Sequence, residues 1–123
     1  MIFVETGAWF AAFVANDADH LAASAWLTEN REPLITTDWV VDELLTLLRM
    51  RGEGQRALRL GEALLDEEIA ELHWVTRNEV FAAWDVSRRF ADKQWSFTDC
   101  VSKVVMARCG IRMAFAFESL SRN

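Results

Sequence analysis

Short apolar segments alternate with longer segments of helical periodicity, and this alternation restricts the fold more than any other feature of the chain. The predicted strands comprise residues 2–4, 34–36, 71–75 and 113–117. The predicted helices comprise residues 6–15, 37–50, 55–67, 78–91 and 98–109, with another that begins after a cap at Asp17 or Asp19 and ends near residue 29. The first strand is apolar throughout, which is typical of a strand buried on both faces. The pattern therefore predicts an α/β fold with a mainly parallel sheet.

Helical periodicity also predicts which side chains face the core. In the third helix these are Val40, Leu44, Leu47 and Leu48. In the fourth helix they are Ala57, Leu58, Leu60, Leu64 and Leu65. In the fifth helix they are Val80, Phe81, Trp84 and Phe90. Gly110 is predicted to end the sixth helix, because glycine readily adopts the left-handed conformation of a helix C-terminus.

Size and composition narrow the class of protein. A chain of 123 residues, 52% hydrophobic and 26% charged, is expected to form a single domain over residues 1–123. The apolar run at residues 8–15 is too short to span a bilayer, so we expect no membrane association and a cytoplasmic location. The formal net charge of −6 argues against a sequence-independent nucleic-acid coat, which is usually basic. It does not argue against a metal-dependent nuclease.

Zinc and disulfide chemistry are not expected. Cys100 and Cys109 fall in one predicted helix, where a helical rise separates them by about 13 Å, too far for a disulfide. The chain has only two histidines and no CxxC motif, so a zinc site is disfavoured.

Acidic residues stand at the edges of four apolar segments, and a carboxylate beside a core is costly to desolvate unless it is compensated. They are Glu5, Glu43, Asp99 and Glu118. Glu5 and Glu118 follow the first and last predicted strands, and sites in open α/β sheets form beyond the carboxyl ends of strands. Carboxylate oxygens suit magnesium or manganese. If the acids converge, they predict a pocket for divalent cations.

The two helical acids also have ordinary interpretations. Glu43 shares a helix face with Trp39, which favours burial over a solvated surface position. Asp99 completes a capping box with Ser96, and Lys103, four residues further on, is a candidate ion-pair partner for it.

The residues at the strand ends are no more decisive when taken singly. Glu5 and Glu118 are alternatively solvent-facing, and Thr6 is alternatively an ordinary N-cap. Thr98 and Ser96 have the same ambiguity, with Thr98 slightly favoured for a role in the site because it adjoins Asp99. The functional prediction therefore depends on the joint pattern.

The acidic motifs occur as an ordered set with characteristic neighbours, such as the Thr that follows the first acid and the Thr-rich approach to Glu43. The motifs are residues 1–9, 16–20, 36–43, 96–100 and 114–118. Over nearly the whole chain this set resembles the PIN-domain ribonucleases, specifically the VapC-type toxins of prokaryotic toxin–antitoxin pairs. The resemblance implies a PIN-like three-layer α/β/α sandwich with a mainly parallel central sheet of four to five strands.

The resemblance further implies a metal-dependent endoribonuclease that hydrolyses RNA phosphodiester bonds. One or two Mg²⁺ or Mn²⁺ ions would be held by Glu5, Glu43, Asp99 and Glu118. Metal-bound water has a lowered pKa and supplies the attacking nucleophile. Thr6 and Thr98 are implied as further catalytic residues, with Thr6 orienting Glu5 or a metal-bound water.

The sequence departs from the family at two positions, because the first and last acids are usually Asp in that family and here are Glu5 and Glu118. The extra methylene displaces a carboxylate by about an ångström, and misplacement on that scale costs about a hundredfold in rate. The alternative function is therefore a catalytically weakened PIN-like module that binds RNA or an antitoxin without efficient cleavage. A different magnesium-dependent phosphotransfer enzyme is disfavoured, because the chain lacks a Gly-rich phosphate loop.

The implied partners are an RNA substrate, an antitoxin protein that wraps an apolar groove, and a second copy of the chain in a homodimer. Trp39 and Trp95 adjoin acidic motifs and are candidates for stacking on a base, although tryptophan more often anchors a core. A group of arginines is a candidate phosphate contact, with a solvated helical face as the alternative. These are Arg49, Arg51, Arg56 and Arg59.

Overall fold

The computed structural model describes residues 1–117, and its elements follow the predicted alternation. In chain order they are β1 (Ile2–Val4), α1 (Thr6–Phe13), α2 (His20–Glu29), β2 (Leu34–Thr37), α3 (Asp38–Met50), α4 (Gly54–Leu65), β3 (Glu71–His73), α5 (Arg77–Arg89), α6 (Phe97–Cys109) and β4 (Met113–Phe115). Each predicted element is present, and most ends differ from the prediction by one or two residues. The strands β3 and β4 each end two residues earlier than expected.

All strands of the sheet are parallel, in the order β3–β2–β1–β4. From β1 the chain moves outward through β2 to β3 and then crosses back, so that β4 pairs with the other side of β1. The direction of connection thus reverses between β1 and β4, where the N–H of Glu5 donates to the carbonyl of Phe115 over 3.1 Å. Ligand crevices form beyond the carboxyl ends of strands at such a switch point. The predicted α/β/α sandwich with a parallel sheet is confirmed.

A buried chain of hydrogen bonds joins α1, β2 and β1 beneath this edge. The indole N–H of Trp9 donates to Thr36 Oγ1 over 3.3 Å, and the Thr36 hydroxyl donates to the carbonyl of Val4 over 3.0 Å. Trp9 and Thr36 are completely buried. Because buried polar groups are costly without partners, this chain of bonds holds the end of β1 against its neighbours.

Side-chain caps define where the helices near this edge begin. The Thr37 hydroxyl oxygen accepts from the N–H of Val40 over 3.1 Å and caps α3. Ser96 and Asp99 form the capping box of α6. The same helix ends at Gly110, whose φ of 68° is the left-handed conformation that the sequence predicts.

The predicted inward face of α5 is wrong. Phe81, Trp84 and Phe90 are 58%, 56% and 40% exposed, whereas Ala83 is fully buried and Glu79 is 4% exposed. The helix α5 packs against α6, and a small side chain such as Ala83 allows closer contact between two helices than an aromatic ring does. Phe81 and Trp84 of α5, and Phe90 just after it, therefore remain exposed, although the rings of Trp84 and Phe90 contact Phe97 and Trp95 with centroids 6.2 and 5.4 Å apart.

Two leucines of α4 also face solvent, contrary to prediction. Leu58 is 64% and Leu65 is 48% exposed, while Leu60 and Leu64 are buried as expected. Within residues 1–117 no helix has the length and apolar character needed to cross a membrane.

Candidate active site

Thr6 and Glu43 form the most direct contact between two predicted site residues. The Thr6 hydroxyl donates to Glu43 Oε1 over 2.5 Å. Thr6 is the first residue of α1, which follows directly from the end of β1, and Glu43 lies in the second turn of α3. The N-cap of α1 is Glu5, without a side-chain capping bond, so the interpretation of Thr6 as an ordinary N-cap is wrong. Its hydroxyl instead holds a carboxylate from another helix.

The environment of Glu43 works against its ionisation. Burial raises the pKa of the Glu43 carboxyl above its ordinary value of 4.5, the Thr6 hydrogen bond lowers it, and the negative charge of Asp99 raises it again. The Ser96 hydroxyl lowers it further and Asp42 raises it, and the net effect is a raised pKa. A partly buried carboxylate with a second carboxylate nearby is a common feature of functional sites, where a cation relieves the repulsion.

Asp99 has the capping role that the sequence allowed. The N–H of Ser96 donates to Asp99 Oδ2 over 3.0 Å, and the N–H of Asp99 donates to Ser96 Oγ over 3.0 Å. The cap fixes this carboxylate at the start of α6, near Glu43, so capping and a role in the site are compatible. The candidate ion pair with Lys103 does not form, because the Lys103 ammonium lies over the Trp95 ring instead.

Glu5 lies at the switch point, directly after β1. It is partly buried and lines an open cavity of about 410 Å³ together with Ser102 and Lys103 of α6. Asp99 lies on the same helix, one turn before Lys103. Glu5 is therefore beside the turn of α6 that follows Asp99. Glu118, the fourth predicted acid, lies outside the described residues.

The described residues assemble only part of the predicted metal site. They bring Glu43, Asp99 and Thr6 together and place Glu5 beside the next turn of α6. Over residues 1–117 there is no group of three or more His, Cys, Asp or Glu side chains close enough to hold one ion. The carboxylate donors are those that Mg²⁺ and Mn²⁺ prefer, but a shared site that includes Glu118 stays a prediction. Thr98 forms no side-chain hydrogen bond within this part of the chain, and its role also stays a prediction.

Sequence reasoning missed the link from Ser96 to Glu43. The sequence suggests Ser96 as a cap of its own helix or as a residue that orients a site group, but it does not indicate Glu43 as the partner, whose pKa the Ser96 hydroxyl lowers. The two residues are far apart along the chain, and no local pattern connects them. The two residues are neighbours because α3 packs against α6, with the rings of Trp39 and Phe97 5.4 Å apart.

Comparison with known proteins agrees with this geometry. The PIN domain family model matches residues 2–117. The chain therefore belongs to the PIN-domain family, as the ordered acidic motifs predicted.

Similar proteins of known activity indicate which kind of PIN-domain protein this is. The chain is 33% identical over 118 residues to the 23S rRNA-specific endonuclease VapC20 from two strains of Mycobacterium tuberculosis, a match that covers 96% of this chain and 89% of each relative. The crystal structure of M. tuberculosis VapC20, described as a sarcin–ricin loop cleaving toxin, superposes with a TM-score of 0.89 at 32% identity and covers 98% of this chain and 93% of that one. The chain is thus a ribonuclease of the VapC type, the toxin class of toxin–antitoxin pairs, which confirms the predicted class of ribonuclease.

Proposed function

We propose that this ribonuclease depends on Mg²⁺ or Mn²⁺ and that Glu5, Glu43, Asp99 and Glu118 hold the metal. The observation that carries the proposal is the Thr6–Glu43 hydrogen bond beside Asp99, at the edge where Glu5 leaves β1. Burial raises the pKa of Glu43 and the negative charge of Asp99 raises it further, so a bound cation would stabilise the ionised carboxylate. When bound, the metal would supply a water of lowered pKa and would neutralise charge on the phosphate.

The chain's own residues would orient the ligands. Thr6 directs one oxygen of Glu43 and leaves the other available to a cation. The capping box holds Oδ2 of Asp99 against the N–H of Ser96 and leaves Oδ1 for the site. Because both carboxylates are restrained before a ligand arrives, less conformational freedom is lost on binding. Thr98, next to Asp99, is proposed to contact a metal-bound water or the RNA.

The proposed substrate is the sarcin–ricin loop of 23S rRNA, and the proposed partner is an antitoxin protein. Both are supported by the relatives, which act on that RNA and are toxins by description. Ribosomal RNA as the substrate agrees with the expected cytoplasmic location.

We also propose that the chain forms a homodimer through α5. The support is a pair of aromatic side chains one turn apart on that helix, Phe81 and Trp84, which are 58% and 56% exposed. Exposed aromatic side chains grouped on one helix are typical of an interface core. Analytical ultracentrifugation should show a dimer for the parent chain and a monomer for Trp84→Glu. A monomeric parent chain would contradict this part of the proposal.

The metal dependence is tested by Mn²⁺ calorimetry together with cleavage of an RNA hairpin that carries the sarcin–ricin sequence. The parent chain should bind Mn²⁺ and cleave the hairpin, and Glu43→Gln should lose both activities. The matched control is Glu62→Gln, which removes the same charge from an exposed position of α4 and should change neither. Absence of Mn²⁺ binding by the parent, or EDTA-resistant cleavage, would refute the metal-dependent mechanism.

The same assay tests whether the long acids weaken the enzyme. If the extra methylene of Glu5 and Glu118 displaces their carboxylates from the best position for catalysis, the double variant Glu5→Asp/Glu118→Asp should cleave RNA faster than the parent. Slower cleavage by the double variant would mean that the pocket is adapted to glutamate.

A further inference from the structure

Lys103 places a positive charge beside the acidic edge of the sheet. It follows Asp99 by one helical turn on α6 and lines the same cavity as Glu5. The side chain is exposed, and within residues 1–117 Lys103 takes part in no ion pair. Its ammonium donors are therefore not satisfied by a neighbouring carboxylate of the described chain.

An aromatic ring holds this lysine in place. Lys103 Nζ lies 4.4 Å from the centroid of the Trp95 ring, and that ring packs against Phe90 with centroids 5.4 Å apart. Trp95 directly precedes Ser96, the N-cap of α6, so the ring is tied to the helix that also carries Asp99. A cation over an indole face is favourable, and the contact limits the freedom of a long side chain. An ammonium ordered in advance pays less entropy when it binds an anion.

The charge distribution makes such a cation useful to a ribonuclease. The chain carries a formal net charge of −6, and RNA must approach an edge that is lined by carboxylates. Metal at the site would neutralise its own ligands and the phosphate being cleaved, but neighbouring phosphates need another partner. Some arginines elsewhere are engaged in ion pairs: Arg88 pairs with Asp85 over 2.9 Å and Arg56 with Glu53 over 3.1 Å.

We propose that Lys103, held by Trp95, binds a phosphate of the RNA strand next to the bond that is cleaved. The inference rests on the proposed ribonuclease action at this edge. Lys103 is a substrate-positioning residue that transfers no proton, and Trp95 acts through it. A solvated lysine with an incidental ring contact is the alternative, and that alternative predicts no effect of either residue on RNA binding.

The test is steady-state cleavage of the sarcin–ricin hairpin by the full chain at several salt concentrations. Lys103→Met should raise KM about tenfold with kcat changed by less than about twofold, because a lost phosphate contact weakens binding of the substrate and transition state alike. It should also reduce the slope of log KM against log salt by about one. Lys103→Arg should restore most of the affinity. Trp95→Leu should raise KM in the same direction, and Trp95→Phe, which keeps a ring, should raise it less.

Arg112→Met is the matched control, because it removes one exposed positive charge from the turn before β4, at the opposite edge of the sheet. It should leave KM and the salt slope close to the parent values. If the parent cleaves RNA and Lys103→Met behaves like Arg112→Met, the inference is wrong and the proposed function stands. A fall in kcat alone for Lys103→Met would also overturn it. If the parent neither cleaves nor binds the hairpin, the proposed function falls and this inference falls with it.

Discussion

Replacing Thr36 by valine tests the buried hydrogen bonds that hold the end of β1. Valine keeps nearly the same shape and removes the hydroxyl, so the Trp9 indole N–H loses its acceptor and the Val4 carbonyl loses a donor. An unsatisfied buried donor costs about 1–3 kcal/mol and a lost hydrogen bond about 0.5–1.5 kcal/mol. We therefore expect Thr36→Val to lower the free energy of unfolding by about 2–4 kcal/mol.

That loss is large for a chain of this size. At about 2.1 cal/mol/K of unfolding entropy per residue, 123 residues correspond to about 0.26 kcal/mol/K, so Tm should fall by about 8–15 °C. Urea unfolding followed by tryptophan fluorescence measures the free energy directly, with an unchanged m-value if the native state is intact. Thr28→Val, at an exposed position of α2, is the control and should change stability by less than about 0.5 kcal/mol.

Thr36→Ser separates hydrogen bonding from packing. Serine keeps the hydroxyl and loses one buried methyl group, which costs about 1 kcal/mol. The hydrogen-bond argument requires the valine variant to be the less stable of the two. If serine proves the more damaging substitution, the hydroxyl contributes little and the argument is refuted.

Three further predictions concern the acidic groups. Asp99→Asn should cut RNA cleavage at least about a hundredfold. Its amide oxygen can still accept from the N–H of Ser96, so the free energy of unfolding should change by less than about 1 kcal/mol. Unfolding at a lower temperature with retained cleavage would show that Asp99 is only a cap. In thermal unfolding without metal, Glu43→Gln should be more stable than the parent at pH 7, because the raised pKa of Glu43 makes its ionised form costly. The difference in stability should close as the pH falls towards 4.5, where the parent carboxyl becomes protonated in the folded state. Glu79→Gln should behave oppositely: burial acts to raise the pKa of Glu79, but hydrogen bonds from Thr76 and His73 outweigh it and lower the pKa. Its stabilisation is therefore present above pH 4.5 and is lost as the pH falls through the lowered value, so the gap between parent and Glu79→Gln should be widest at neutral pH and should shrink in acid.

Local rules along the chain were sufficient for the order of strands and helices. The apolar run of β1 indicated a buried parallel strand, and Gly110 indicated the end of α6, because these features depend on residues within one element. The capping box of Ser96 and Asp99 is also local, since its members are one turn apart. The ordered acidic motifs were enough to predict the family, which the comparison confirmed.

The faces of the helices depended on their neighbours. A stripe of apolar residues shows that a helix has a face to bury, but not what covers it. In α5 the small Ala83 faces α6, and Trp84 is left exposed. Packing of two helices depends on the shapes of both surfaces, and a single sequence pattern describes only one of them.

The site contacts were decided by tertiary structure alone. The hydroxyl of Thr6 reaches Glu43 across 37 positions of sequence, and this requires β1 and β2 to be adjacent and α3 to start beside α1. The sequence indicated Asp99 as the partner of Lys103, and the position of Lys103 over Trp95 instead depends on how the loop before α6 returns to the helix. The amino-acid sequence by itself therefore determined the elements, their order and the kind of chemistry. The partners of each functional side chain followed only from the packing of elements that are distant in the chain.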